Sequence, residues 1–213
     1  MDFPVDVRAR WWYTHVDHTR QYVGGIFNRQ PFKAIKALEG LWHGVRQWQD
    51  LTGVLGGVLM GEHTILIKKF IEHARDFRAN EADYLVSYLM EDADDQTKIY
   101  RQKFDSFPAD QWEKLFKDHI AETGAYVTAL AKGDMKGYED HWRKVLENTK
   151  EIAEFARSSF PVPEGLMGDE EEMDGAEEEE KELKGVERTG TDMDVEEATE
   201  VGQADDSGDS NLF

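Results

Sequence analysis

The sequence contains no cysteine, which excludes disulfide bonds, thiolate zinc sites and a cysteine nucleophile. Long apolar runs are also missing, since no stretch approaches the roughly 20 residues that span a bilayer. The opening residues, MDFPVDVRAR, do not combine a basic start with an apolar stretch, so we expect no secretory signal. These absences together favour an intracellular, cytoplasmic protein with no membrane partner.

Basic residues are scarce, with 25 Lys and Arg against 45 Asp and Glu, and the formal net charge is −20. This balance argues against general binding to nucleic acid, which requires clustered Lys and Arg. The charge is uneven along the chain, because residues 164–213 hold 20 acidic residues and only 3 basic ones. We therefore expect a nearly neutral body over residues 1–163 and an acidic tail over residues 164–213.

The tail has blocks of like charge and a single aromatic residue, Phe213. Such a segment cannot bury enough apolar surface to offset the entropy of ordering, so we predict that it is disordered. An acidic segment could bind a basic protein partner, or it could only keep the body soluble. Composition does not choose between these roles.

Apolar residues in the body recur with a helical period rather than alternating as in strands. The pattern predicts an all-α fold of about six helices, near residues 6–29, 33–55, 58–79, 81–105, 109–132 and 134–159. Pro31 and Pro108 suit helix starts, and glycines at 53, 56 and 57 separate the second helix from the third. The short links between helices predict an antiparallel bundle of helical hairpins.

A weak internal repeat accompanies this pattern. Glu62-His63 and Asp118-His119 each stand within an amphipathic helix, and a second helix ending in Phe-Pro follows each pair. A fainter copy begins at His15. Duplicated hairpins would produce these matches, and so would chance similarity among amphipathic helices.

Three histidines are predicted to face the core, because His15, His63 and His119 each fall inside the apolar arc of an odd-numbered helix. Gln49 falls inside the arc of the second helix, and Arg20 lies at the edge of the first. Neutral imidazole is a common transition-metal ligand, so the three histidines are candidate ligands of a divalent metal ion. Glu62, Asp94 or Glu122 could complete such a site.

A structural role is the alternative, in which each buried imidazole bonds a backbone carbonyl, a neighbouring acid or a threonine such as Thr19 or Thr123. We favour this interpretation of the histidines, because periodicity does not show that three helices meet at one height.

The run from Trp12 to Ile26, with Trp, then His-Val, then Thr-Arg, resembles the opening of an uncharacterised family of small bacterial helical proteins. Short matches follow in order over about residues 8–161, at Gln49-Asp50, Glu62-His63, Ala93-Asp94 and Asp118-His119-Ile120. The resemblance implies an all-helical bundle and no particular reaction. The chain departs from the family at Trp48, where the family has Asn, and at Thr52, where it has Ile.

Two functions remain after these arguments, and the sequence leaves open whether the protein is an enzyme. The first is a non-enzymatic interaction or accessory protein, with the bundle as a scaffold and the tail meeting a basic partner. The second is a bundle that binds a metal ion or small ligand through His15, His63 and His119, with Gln49 or Arg20 contacting the ligand. We prefer the first because it requires no convergence of the histidines in space.

Overall fold

A computed structural model of the chain describes residues 6–76 and 78–162. By its contacts the chain divides into two units, Met1–Met167 and Gly168–Phe213. The predicted tail over residues 164–213, with its predicted disorder and basic partner, lies outside the described residues.

The described chain is all-α, as predicted, and its elements are helices joined by short links, with no strand in these ranges. The helices are α1 (Val7–Phe27), α2 (Pro31–Arg75), α3 (Ala79–Lys103), α4 (Ala109–Ala131) and α5 (Met135–Ser159). Within the described part of the chain, no helix combines the length and the apolar character needed to cross a membrane.

The helix count differs from the prediction of six, because α2 covers the predicted second and third helices without a loop. Gly53 alone leaves the helical conformation, with φ 79° and ψ 177°, a left-handed region that favours glycine. Beyond it the chain runs back along itself. A Cβ atom on Gly57 would lie 2.5 Å from the Cβ of Gln49, and one on Gly61 would lie 3.6 Å from the Trp42 ring. The two arms of α2 therefore pack antiparallel around a single residue.

The bundle consists of three antiparallel hairpins, in agreement with the predicted architecture. The first pairs α1 with the first arm of α2, the second pairs the other arm with α3, and the third pairs α4 with α5. Contacts of α3 with α4, and of α5 with α1, close the arrangement. Each hairpin thus presents one inner face to a shared core.

Local sequence signals fix where several helices begin. The side chain of Asp6 accepts a hydrogen bond from the backbone N–H of Arg8 at 2.9 Å and caps α1. Asp134 caps α5 in the same way through Gly137 N–H at 3.0 Å. Pro31 opens α2 in its first turn, where no N–H is needed.

Large aromatic side chains fill the core. Trp12, Trp48, Trp112 and Tyr100 are completely buried, and the Trp48 indole donates a hydrogen bond to the Tyr100 hydroxyl at 2.7 Å. The Phe160 ring, just after α5, lies 5.2 Å from the rings of both Trp48 and Tyr100. These packed rings hold the helices in fixed positions around the polar residues described next.

Candidate functional site

The three predicted histidines meet in the core, one from each hairpin. His15, His63 and His119 are 5%, 1% and 3% exposed. The His15 ring centroid lies 5.9 Å from that of His63 and 6.1 Å from that of His119. The structure thus supplies the convergence that periodicity could not establish.

Aromatic rings surround this histidine cluster, the name used below for His15, His63 and His119. Trp11 stacks on His15 with centroids 4.9 Å apart and an interplanar angle of 11°. Phe116 lies 5.0 Å from His63, and Trp12 lies 5.8 Å from His119. This apolar wall excludes water and lowers the local dielectric constant, so polar groups inside it interact strongly.

Burial keeps two of the imidazoles neutral. It lowers the pKa of His15 well below the usual 6.5, and the neighbouring His63 and His119 lower it further. Burial, with a contribution from His63, also lowers the pKa of His119 to about 3. Both rings therefore carry a free lone pair at neutral pH, which is the form that binds metal ions.

Two polar side chains that the sequence analysis missed lie beside the cluster. Asp92, buried on α3, places Oδ2 3.4 Å from His63 Nδ1 and accepts a hydrogen bond from Gln96 at 3.1 Å. Asn148, buried on α5, donates a hydrogen bond to the Leu115 carbonyl at 3.0 Å. Each residue stands on the second helix of its hairpin, opposite the histidine of the first.

The internal repeat contained the signal for these residues. The same number of residues separates His63 from Asp92 and His119 from Asn148, because residues at equal distances from a hairpin turn face each other. Counted in the same way, His15 is opposite Gly44, which has no side chain. Trp11 donates its indole N–H to the Gly44 carbonyl at 2.6 Å and stacks on His15.

Several buried polar atoms at the cluster make no well-aligned hydrogen bond within the described part of the chain. They are Trp12 Nε1, His63 Nδ1, His119 Nδ1, Asp92 Oδ1, Asn148 Oδ1 and Thr123 Oγ1. His63 Nδ1 nevertheless lies 3.4 Å from Asp92 Oδ2, and a hydrogen bond from the Asn148 side chain opposes the lowering of the His119 pKa. A cavity of about 10 Å³ lies beside His119, Thr19 and Thr123, which is about the space of one water molecule. A water molecule or a ligand at the cluster would therefore stabilise these polar groups.

The carboxylates expected to complete the site lie elsewhere. Glu62 is exposed, Asp94 pairs with Lys117 at 2.5 Å, and Glu122 pairs with His141 at 2.7 Å. Those three expectations were wrong, because partners on neighbouring helices hold Asp94 and Glu122 away from the core.

The threonine expected to bond the His15 ring also differs from the prediction. Thr19 donates its hydroxyl to the His15 backbone carbonyl at 2.9 Å instead. Thr123 is the second such threonine, and its hydroxyl is one of the unpartnered atoms named above. The structural interpretation thus loses its threonine partners, but it keeps a neighbouring acid for one ring, because Asp92 lies beside His63.

The other two predicted ligand contacts lie outside the cluster. Gln49 is exposed, so the prediction that it faces the core was wrong; the buried stripe of the first arm passes through Leu41, Val45 and Trp48 instead. Arg20 is exposed at the end of α1, with its guanidinium 4.7 Å from the centre of the Trp142 ring.

The three histidine rings lie in one region of the core, but the measured distances between them are longer than in a formed metal site. Within the described residues, no group of three or more His, Cys, Asp or Glu could hold a metal ion. With Zn–N bonds near ~2 Å, two imidazoles on one ion have centroids about 5 Å apart, closer than the separations found here. The helices that carry the rings would have to move closer together for the imidazoles to ligate one ion.

No family model, curated protein or solved structure matches this chain. The resemblance of residues 8–161 to a family of small bacterial helical proteins therefore stays a prediction.

Proposed function

We propose that the protein binds a divalent transition-metal ion at the histidine cluster, with Asp92 as the carboxylate ligand. The single observation that carries this proposal is that the buried His15 ring lies about 6 Å from the buried rings of His63 and His119, with the buried Asp92 carboxyl beside His63. The proximity of these donor side chains, rather than a formed metal site, is what supports the second function.

The donor set has the chemistry of a transition-metal site. Imidazole nitrogen and carboxylate oxygen are the ligands of many zinc, iron and manganese centres. Asp92 is a buried acid whose ion-pair partner within the described residues is His63 alone. A divalent cation bound by Asp92 and by the Nδ1 atoms of His63 and His119 would satisfy these buried polar atoms, which otherwise lack a well-aligned hydrogen bond.

Metal analysis of the purified full chain tests the proposal. We expect near-stoichiometric zinc, iron, manganese or nickel after dialysis, or one equivalent of Co²⁺ taken up by chelator-treated protein with the visible absorption of a nitrogen-ligated site. Bound metal should raise the melting temperature, since a ligand of the folded state stabilises it.

Matched variants separate the proposed site from adventitious binding. Asp92→Asn keeps the shape of the side chain and should lose most of the Co²⁺ affinity, as should His119→Gln. Asp94→Asn, which removes an acid two residues away that pairs with Lys117, should bind like the parent chain. A chain that takes up no Co²⁺, or whose uptake is the same in all three variants, would refute the proposal.

A protein-interaction role is a second candidate, because two large apolar side chains are exposed at the start of α2. Phe32 is 88% exposed and Ile35 is 55% exposed. Lys33 and Lys36 flank these two on an exposed surface. Such a surface fits a partner segment with an apolar stripe and acidic borders.

Substitution of this surface tests the second candidate. Phe32→Asp with Ile35→Asp should release any partner that copurifies with the parent chain, whereas Tyr88→Asp, at an exposed position on α3, should retain it. Retention by both variants would exclude α2 as the interface.

A further inference from the structure

An open cleft lies between the last turns of α1, the start of α2 and the turn that joins α4 to α5. Its volume is about 440 Å³, within the range of small-molecule sites. Arg20, Gln21, Gly24 and Lys33 line one side, and Tyr126 and Tyr138 line the other. The cleft shares none of its lining residues with the histidine cluster.

Two cations on the cleft wall have no acidic partner. Within the part of the chain that is described, neither Arg20 nor Lys33 forms an ion pair, although most basic residues of α3 to α5 do. The one acidic residue in the wall, Asp17, accepts a hydrogen bond from Gln21 at 2.7 Å. The cleft is therefore a locally cationic concavity on a chain with a net charge of −20.

The position of Arg20 is fixed by an aromatic ring. Its guanidinium lies 4.7 Å from the centre of the Trp142 ring, a cation–π contact that leaves its N–H groups available to an anion. Such an arginine loses less freedom on binding than an unsupported one, and its planar fork suits carboxylate and phosphate groups.

The opposite wall is apolar. Tyr138 and Leu130 are half-buried there, whereas Tyr126 and Val23 are buried, at 2% and 0% exposed. The Tyr126 ring lies 5.0 Å from the Tyr138 ring and supports it. A bound molecule would thus meet cations at one end and the apolar side chains of Tyr138 and Leu130 at the other.

We propose that this cleft binds a small organic anion, with its carboxylate or phosphate group on Arg20 and Lys33 and its apolar part against Tyr138 and Leu130. The site does not depend on metal at the histidine cluster, because its ligating groups belong to a different surface.

Calorimetric titration of the full chain tests this site, with benzoate and phenyl phosphate as the two anionic probes and benzyl alcohol as the neutral control. We expect saturable binding of at least one anion, with and without chelator, and weaker binding of the alcohol. The tighter of the two anions identifies carboxylate or phosphate as the preferred group. No saturable binding of either anion, or equal binding of the alcohol, would overturn the proposal.

Variants locate the binding in the cleft. Arg20→Gln should weaken binding about tenfold, as expected for loss of one charge-assisted contact. Gly24→Leu should block the cleft without disturbing the fold, because a Cβ atom at Gly24 would meet no atom within 4 Å. Lys69→Gln, at an exposed cation on the second arm of α2, is the control and should bind like the parent chain. Parental affinity in both Arg20→Gln and Gly24→Leu would exclude this site, and a thermal melt of each variant verifies that it is folded.

Discussion

The chemistry of the buried histidines is decided by the rings around them. His119 is 3% exposed and lies against Trp12, so protonation would place a charge in an apolar wall. Its pKa is lowered to about 3 for that reason, and the pKa of His15 is lowered by the same cause. In the unfolded chain these rings are solvated and titrate near 6.5.

This difference predicts how stability changes with pH. Below about pH 6.5 the unfolded chain binds protons at His15 and His119 that the folded chain does not bind, so the free energy of unfolding falls as the pH falls. For His119 this continues down to about pH 3. The slope approaches about 1.4 kcal/mol per pH unit for each such histidine below pH 6.5, and it fades as the pH rises above that value. Urea denaturation in the presence of a chelator, from pH 8 to 5, measures it.

The variant His119→Gln should show a smaller dependence of the free energy of unfolding on pH, by the contribution of one histidine, even if it is less stable than the parent chain at every pH. His43→Gln, which changes an exposed ring on α2, serves as the control and should keep the parental slope. An unchanged slope in His119→Gln would show that this ring is accessible to protons in the folded protein.

The sequence predicted which histidines face inwards but not what lies beside them. Helical periodicity depends on one helix at a time, so it placed His15, His63 and His119 correctly. The position of Asp92 beside His63 depends on how two helices pair, which periodicity does not show. The sequence analysis therefore proposed other acids as ligands, such as Glu62, which is adjacent to His63 in sequence. The equal spacing of His63–Asp92 and His119–Asn148 could have identified both partners, because facing positions of a hairpin are set by their distance from the turn.

At the scale of the helix, α2 shows why the predicted number of elements was too high. Glycines at 53, 56 and 57 correctly predicted a break in the helical pattern. A loop was expected because reversing a chain usually takes several residues. Here Gly53 reverses it alone, and Gly57 lets the arms approach closely enough that a Cβ would lie 2.5 Å from Gln49. Periodicity cannot detect such a turn, since the residues on both sides remain helical.

This turn predicts a specific cost for replacing Gly53. At φ 79° an L-residue places its Cβ against the backbone, so Gly53→Ala should lower the free energy of unfolding by about 1–2 kcal/mol. The added methyl would also displace the Lys103 ammonium, which now donates to the Thr52 carbonyl at the end of the first arm.

Gly24→Ala is the matched control, because Gly24 is helical and its added methyl would meet open space. It should raise the free energy of unfolding by up to about 1 kcal/mol, since alanine favours the helix. Urea denaturation compares the two variants with the parent chain. Equal effects of the two substitutions would show that the left-handed conformation of Gly53 costs an alanine nothing.

At the scale of the whole molecule, charge and packing are distributed differently along the sequence. The described core runs from Ala9 to Phe160. Residues 164–213 carry 20 of the 45 acidic side chains, and they begin after the last of these core residues. The residues of the described core and the residues that carry most of the net charge therefore occupy separate stretches of the sequence, and a truncation near residue 163 would divide them.

A pair of truncations should show where the folding unit ends. A chain that stops after residue 163 keeps all the described core, so its free energy of unfolding should lie within about 0.5 kcal/mol of the full chain.

A chain that stops after Ser159 loses the Phe160 ring, which is 2% exposed and packs on Trp48, Tyr100 and Trp112. It also loses the Phe160 carbonyl that accepts from Arg8 at 2.6 Å, so it should be less stable by about 3–5 kcal/mol. Urea unfolding followed by circular dichroism distinguishes these outcomes, and loss of a cooperative transition in the longer truncation would mean that residues beyond 163 contribute to the fold.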